Sequence, residues 1–288
     1  MADSITSTFA TLDFNEEWKQ MQVARERSDD PTVWDKRAKT FPVKHGSQRG
    51  YVSHFLELAD VRKGETVLDM GCGTGALATP LAQAGCNVIA CDFSQGMMNV
   101  MLADQEELGI ETVTSHIMSW DDNWEDFGLG DSSVDVALAS RSMATYDLKE
   151  SLMKLDTVAR RRACLTMPAG PSPKSDPALI EAAGFKGRIG NDFLYAFNIL
   201  AQCGIAPEVA YIPNSRLEVF DSFDDALETF SDIVHSSVKG TVPDGELDQI
   251  PARLAPWLEE RLVHDDMGYH LAKERNVTWA FIAWSTER

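Results

Sequence analysis

The chain is short of positive charge: 26 lysines and arginines stand against 45 aspartates and glutamates, a formal net charge of −19. A surface that negative repels phosphate backbones and anionic lipid headgroups, and the basic cluster Arg160-Arg161-Arg162 is too short to reverse the field. Nucleic acid and membrane surfaces are therefore not expected partners. Long apolar runs are missing as well; none approaches the roughly 20 residues a bilayer-spanning helix needs. The segment Met1-Ala2-Asp3-Ser4-Ile5-Thr6 has neither the basic start nor the apolar core of a secretion signal, so a cytoplasmic protein is expected. The five cysteines (72, 86, 91, 164 and 203) are odd in number and scattered, and they form no Cys-x-x-Cys pair, which reads as reduced core residues rather than a disulfide framework. The six histidines show no His-Glu-x-x-His spacing, so no metal is expected.

What the chain does have is the run Thr66-Val67-Leu68-Asp69-Met70-Gly71-Cys72-Gly73-Thr74-Gly75. It joins an apolar strand to a turn whose alternate glycines admit backbone angles closed to other residues and let a ligand approach without a Cβ in the way. A phosphate-binding P-loop would need Lys followed by Ser or Thr after its second glycine, whereas Ala76-Leu77 follows Gly75. The spacing Gly71-x-Gly73-x-x-Ala76 does fit the relaxed dinucleotide fingerprint. Asp69 argues the other way. A carboxylate just before the turn suits a ligand carrying an ammonium group better than a pyrophosphate. A second short apolar run, Asn87 to Cys91, ends in Asp92, about 20 residues beyond the first glycine, where ribose hydroxyls are recognised.

The first run resembles motif I of the class I S-adenosylmethionine-dependent methyltransferases, and Trp34-Asp35-Lys36-Arg37-Ala38-Lys39-Thr40-Phe41 is similar to the leader of the ubiquinone/menaquinone-biosynthesis branch. The resemblance is clear from about residue 62 to 168 and extends to the closing strands. It implies that Asp69, Gly71, Cys72, Gly73 and Gly75 hold the amino-acid tail of S-adenosyl-L-methionine and that Asp92 accepts from both ribose hydroxyls; Phe93 and Met97-Met98 are candidates to cover the adenine, with helix core packing as the alternative for the methionines. After the third strand, Val113 to Ile117, the family usually places an acid on the adenine amino group. Here Ser119 stands in its place, or Asp121 supplies it from a shifted loop, with Trp120 stacking on the base. The fourth strand, Ser133 to Ser140, would face the cofactor methyl, which makes Ser140, Arg141, Ser142 and Met143 candidates for the reaction chamber. In that branch the leader folds over the cleft as a lid, so Trp34 and Phe41 are candidate substrate-lining residues.

Strand and helix patterns alternate five times over residues 66 to 167, and such alternation implies a parallel sheet because parallel neighbours need crossover connections. The expected fold is α/β, a Rossmann-like doubly wound seven-stranded sheet. The resemblance makes it mostly parallel, with an antiparallel last strand, Val277 to Trp284, between strands five and six. Residues 1–61 read as an N-terminal helical leader or lid in three pieces, and 62–288 as the methyltransferase domain with a helical insert at about 213–265. That insert leaves the chain compatible with a homodimer as well as a monomer.

The expected function is methyl transfer to a small organic molecule. The sulfonium methyl is already activated, so orientation and exclusion of water suffice and no covalent catalyst is required. An acceptor proton would still need managing, and Arg141, Tyr146, His45 and His235 are the candidates, none of them carried by a motif. Two alternatives stay open at this level: a non-catalytic S-adenosylmethionine-binding protein, and a nicotinamide-dependent oxidoreductase, which Asp69 and the absence of a Tyr-x-x-x-Lys pair disfavour.

Overall fold

A computed structural model describes residues 11–25, 30–38, 49–186 and 190–287. Seven strands form the main sheet in the order β3-β2-β1-β4-β5-β10-β6: β1 (Thr66–Met70), β2 (Asn87–Asp92), β3 (Val113–Ile117), β4 (Val134–Ser140), β5 (Ala159–Pro168), β6 (Glu208–Arg216) and β10 (Arg275–Ser285). β1 pairs in parallel with both β2 and β4, so strand order reverses on either side of it. Such a reversal opens a crevice beyond the carboxyl ends of the strands, where ligands bind in open α/β sheets. β10 runs antiparallel to both neighbours, between β5 and β6, as the resemblance implied.

The helices form where the sequence supplies both a cap and an apolar stripe. α5 (Gln95–Leu108) begins with the Ser94 hydroxyl accepting from the Met97 amide and ends at Gly109 with φ +66°. α6 (Leu148–Val158) is capped by Asp147, which accepts from the Glu150 amide, and buries Leu148, Leu152 and Leu155 against the sheet. Helices cover both faces. One core gathers Phe14 and Trp18 of α1 (Phe14–Ala24), the α6 stripe, and Ile199 and Leu200 of α8 (Phe193–Gln202). The opposite core gathers Tyr51 and Phe55 of α3 (Arg49–Ala59), Leu81 of α4 (Ala78–Gln83), and Met98 and Met101 of α5.

The three pieces of the leader therefore have separate fates. α1 is a core helix whose Trp18 indole N–H donates to the Thr145 carbonyl at 2.8 Å, and α3 is a core helix on the other face. Of the three, α2 (Pro31–Ala38) lies by the end of β2: its Asp35 accepts from the Ser94 hydroxyl at 2.6 Å and from the Gly96 amide at 2.8 Å at the head of α5. Gly96 is required there, because a Cβ would meet the Asp35 Cα at 2.8 Å.

The segment read as a helical insert needs correction. β6 continues to Arg216, past the expected boundary at 213, and the insert mixes α9 (Phe223–Val238), α10 (Asp244–Leu247) and α11 (Ile250–Glu259) with a three-stranded sheet. That sheet, in the order β7-β9-β8, uses β7 (Val219–Phe220), β8 (Leu262–Asp265) and β9 (Gly268–Leu271). Its third core also takes in Leu179, Ile180 and Ala183 from α7 (Pro177–Ala182) and the residue after it, the chain that leaves β5. Both roots of this unit thus rise from the carboxyl ends of β5 and β6. Arg275 ties them together. Its buried guanidinium pairs with Asp176 at 2.8 Å and Glu218 at 2.8 Å.

Candidate active site

The glycine turn lies on the crevice beside β1, and its three glycines have three different environments. Gly71 has φ +73°, and a Cβ there would lie 2.3 Å from the Ser142 Cβ; at Gly75, φ +82°, it would meet the Met101 Cγ at 2.6 Å. These two permit close packing. Gly73 has φ +55° and would meet nothing within 4 Å. It is the glycine whose bare face is turned to open space. The turn is fastened to β2, since the Gly71 and Cys72 amides both donate to the Cys91 carbonyl, at 2.7 and 3.0 Å, and the Gly73 amide donates to Asp92 Oδ2 at 2.9 Å. The Cys72 thiol points into the core at Met98 Sδ, 3.4 Å away, so only its backbone is presented to the crevice.

Two buried carboxylates lie beneath this turn. Burial pushes the Asp69 carboxyl up to about 7, the neighbouring Asp92 adds to the rise, and the Ala78 amide only partly offsets it. Asp69 Oδ2 has no hydrogen-bond partner among the described residues. Asp92 is also raised by burial, against the stabilising amides of Ser94 and Gly73. It accepts one backbone bond on each oxygen, which leaves about half of a carboxylate's lone-pair sites open. An orphaned carboxylate oxygen, a second carboxylate with spare acceptor capacity and a bare glycine face fit a cationic amino acid joined to a ribose.

Beside the glycine turn, the end of β4, the strand paired with β1, turns sharply. Arg141 takes φ +59°, a left-handed conformation costly for a residue that carries a Cβ and often found at functional sites. Its amide donates to the Thr166 hydroxyl at 3.1 Å. Its guanidinium lies 4.4 Å from the centre of the Tyr51 ring and 5.9 Å from that of Trp279, and burial lowers its affinity for a proton. The Tyr51 hydroxyl bonds to the hydroxyls of Ser140 at 2.8 Å and Thr166 at 2.7 Å, and burial holds this phenol above its ordinary range. The Ser142 hydroxyl donates to the Met70 carbonyl at 2.7 Å, bracing β4 against the glycine turn.

The remaining sequence candidates divide. Met97 is buried in the first turn of α5 and Phe93 is half-buried at the end of β2, both beside Asp92. Trp120 is half-buried; it donates from its indole to the Ser142 carbonyl at 3.1 Å and packs on Trp124 at 5.5 Å, and Ser119 receives the Asp121 amide at 3.2 Å. Met143 belongs to the core. Trp34 on α2 stacks with Arg37. Tyr146 is an exposed ring beneath Lys19, outside the crevice. Phe41 and His45 lie outside the described residues. Sequence reasoning missed Tyr51, Thr166, Trp279 and Asp35. The first three sit in apolar stripes or strands that read as packing, and Asp35 stands out in the sequence only as part of the leader motif.

Residues 67–161 match a family profile described as a methyltransferase domain. The chain is 30% identical over 284 residues to an uncharacterized protein of Haemophilus influenzae, covering 98% of this chain and 99% of that one. It is also 32% identical over 149 residues to the nocamycin O-methyltransferase of Saccharothrix syringae, where it spans 50% of the relative's length. A 55-residue stretch is 44% identical to the demethylmenaquinone methyltransferase of Paenarthrobacter aurescens but covers only 22% of it. Among solved structures, the YcgJ protein of Bacillus subtilis superposes with a TM-score of 0.53 at 14% identity, over 83% of this chain and 99% of that one. The chain belongs to the class I S-adenosylmethionine-dependent methyltransferases. It is therefore an enzyme of methyl transfer with S-adenosyl-L-methionine as its cofactor; the match to the menaquinone branch is short.

Proposed function

We propose that the enzyme methylates a small organic acceptor held at the carboxyl rim of β4, β5 and β10. The observation that carries this reading is the group Tyr51, Ser140, Arg141, Thr166 and Trp279, which lies at the carboxyl ends of β4 and β5 beside the glycine turn and is closed in by the protein's own α3 and β10. In this reading Asp69 and Gly73 take the amino-acid tail of the cofactor, Asp92 takes the ribose, and Met97 and Phe93 flank the base. The cofactor supplies an electrophilic methyl group. The chain's own residues orient the acceptor and exclude water, which contributes roughly 7 to 11 kcal/mol at best in well-aligned systems.

The nocamycin enzyme, named for a small-molecule acceptor, supports the same acceptor class. The net charge of −19 opposes a nucleic-acid substrate. Two regions complete the proposed architecture: α2 of the leader as a cover over β2 and α5, and the unit built from the insert as the outer wall of the acceptor side. The test is a panel of small hydroxy, amino and carboxylic acceptors with labelled S-adenosylmethionine. Transfer to at least one member supports the reading, and transfer only to macromolecular fractions would overturn it.

A further inference from the structure

The carboxylate of Asp92 is set by two backbone amides, and each belongs to a segment that something else must hold in place. Gly73, on Oδ2, lies in the turn fastened to the Cys91 carbonyl. Ser94, on Oδ1 at 2.9 Å, opens α5. Ser94 is fully buried, and its hydroxyl accepts from the Met97 amide at 3.1 Å as the helix cap. A hydroxyl carries one proton, and this one is donated to Asp35 Oδ1 at 2.6 Å, the short distance of a bond to a charged acceptor. The same Oδ1 accepts from the Gly96 amide at 2.8 Å. Together the two bonds hold the Asp35 carboxyl below its usual range, so an ionised acid sits at the positive end of α5. Apolar packing does not explain this seat. Ala38 is the one buried residue of α2 and Val33 is exposed, whereas α1 and α3 each bury an aromatic stripe. The contact is nevertheless close, since a Cβ at Gly96 would lie 2.8 Å from the Asp35 Cα and 3.0 Å from its Oδ1. Burial raises the Asp92 carboxyl and the charge of Asp35 adds to the rise, which puts the two acids within electrostatic reach of each other.

We propose that Asp35 is a positioning residue for the ribose acid: by holding Ser94 and the head of α5 from the leader, it fixes the Asp92 carboxylate in the orientation that meets both ribose hydroxyls of the cofactor. A carboxylate that accepts from two neighbouring hydroxyls at once must aim both of its remaining lone-pair directions at them, and its plane follows its two amide anchors. The glycine turn supplies one anchor. Asp35 secures the other, acting through Ser94 rather than on the reacting atoms. α2 then belongs to the nucleoside site although it lies outside residues 67–161, the stretch that matches the methyltransferase profile.

This inference rests on the reading in which Asp92 takes the ribose, and the experiment separates the two. Full-length protein is titrated calorimetrically with S-adenosylhomocysteine and with its 2′,3′-dideoxy analogue, since the ratio of the two affinities reports the carboxylate's grip on the hydroxyls. The wild type is expected to prefer S-adenosylhomocysteine by about tenfold or more, the size of charge-assisted hydrogen bonds gained. Asp35→Ala should bring that ratio below about threefold, as one of the two hydroxyls loses its partner. Asp35→Asn should restore it, because both bonds end on a single oxygen and an amide carbonyl offers the same acceptor. Gly96→Ala tests the contact from the other side and carries the test if Asp35→Ala fails to fold. Alanine is the better helix former, so the melting temperature should not fall by more than about 3 °C, yet the new Cβ pushes α2 away and the ratio should drop as in Asp35→Ala. An unchanged ratio in folded Asp35→Ala and Gly96→Ala overturns the positioning role and leaves Asp92 standing as the ribose acid. Failure of Asp35→Asn to restore the ratio also overturns it, by making the charge rather than the bond geometry decisive. Equal affinities of the wild type for the two ligands, or no binding of either, count against the ribose reading and this inference together.

Discussion

Gly71 and Gly73 share a motif and a left-handed backbone, yet alanine should affect them differently. Each substitution forces an L side chain into the left-handed region, at a cost of about 1 to 2 kcal/mol. At Gly73 nothing further is lost in the protein, because the new Cβ meets no atom within 4 Å. At Gly71 the new Cβ overlaps the Ser142 Cβ at 2.3 Å. Relieving that overlap costs roughly 1 to 3 kcal/mol as overpacking. It also displaces Ser142 from its bond to the Met70 carbonyl, which adds about 1 kcal/mol. Gly71→Ala is therefore destabilised by roughly 3 to 6 kcal/mol, against roughly 1 to 2 kcal/mol for Gly73→Ala. With a shift of about 2 to 4 °C per kcal/mol for a chain of this size, the melting temperature should fall by roughly 10 °C in the first variant and by only a few degrees in the second. Titration of each with S-adenosylhomocysteine completes the test: Gly73→Ala should bind at least tenfold more weakly while still folded, because its methyl group occupies the face proposed to meet the ligand. Wild-type affinity in Gly73→Ala, or equal stability of the two variants, would refute the reasoning.

Other perturbations probe different parts of the structure. The Asp69 carboxyl, raised to about 7 by burial, favours the folded protein most below the ordinary carboxylate range, and this contribution is lost as pH rises through about 7. A ligand ammonium requires the charged form, so S-adenosylhomocysteine affinity should rise with pH to about 7 with release of a proton, and Asp69→Asn should abolish the dependence; calorimetry in buffers of different ionisation heat reads it, and an unchanged proton count in the variant contradicts it. Arg275→Met leaves Asp176 and Glu218 buried without their cation, so a loss of about 3 to 5 kcal/mol is expected. Hydrogen exchange should then speed up first in residues 172–186 and 217–271, and uniform acceleration across the chain would argue against a joint at Arg275. Tyr51→Phe removes a hydroxyl shared by Ser140 and Thr166, costing about 1 to 3 kcal/mol. It should lower kcat for the acceptor more than it weakens S-adenosylhomocysteine binding, and the reverse pattern would place Tyr51 on the cofactor side.

The parts of this enzyme legible in its sequence are those whose chemistry is contiguous. A strand, a carboxylate and three glycines lie within ten residues, so the turn and Asp69 can be read directly, and the alternation of strands and helices gives the sheet. Asp135, at the start of β4, is a structural acid: it accepts from the Thr66 amide at 2.9 Å and pairs with Arg160. The proposed acceptor side is assembled from positions far apart in the chain, and its members hide in patterns that mean something else locally. Tyr51 lies on a helical apolar stripe and Trp279 in a β-branched, aromatic strand, so both read as core, which they are in part. Asp35 is conspicuous only once α2 is seen against α5. The small sheet of the insert escaped because β7 has two residues and β8 and β9 four each, too short for alternation to show.

The central claim is that the turn after β1, with Asp69 beneath it and Asp92 beside it, is the seat of the methyl-donor nucleoside. Isothermal titration of the folded, full-length protein with S-adenosylhomocysteine, repeated with Asp92→Asn and with a nicotinamide dinucleotide, tests it most directly. The expected result is one site per chain for S-adenosylhomocysteine, at least tenfold weaker binding in Asp92→Asn, and no heat with the dinucleotide. Binding that is indifferent to Asp92, or a preference for the dinucleotide, would contradict the account.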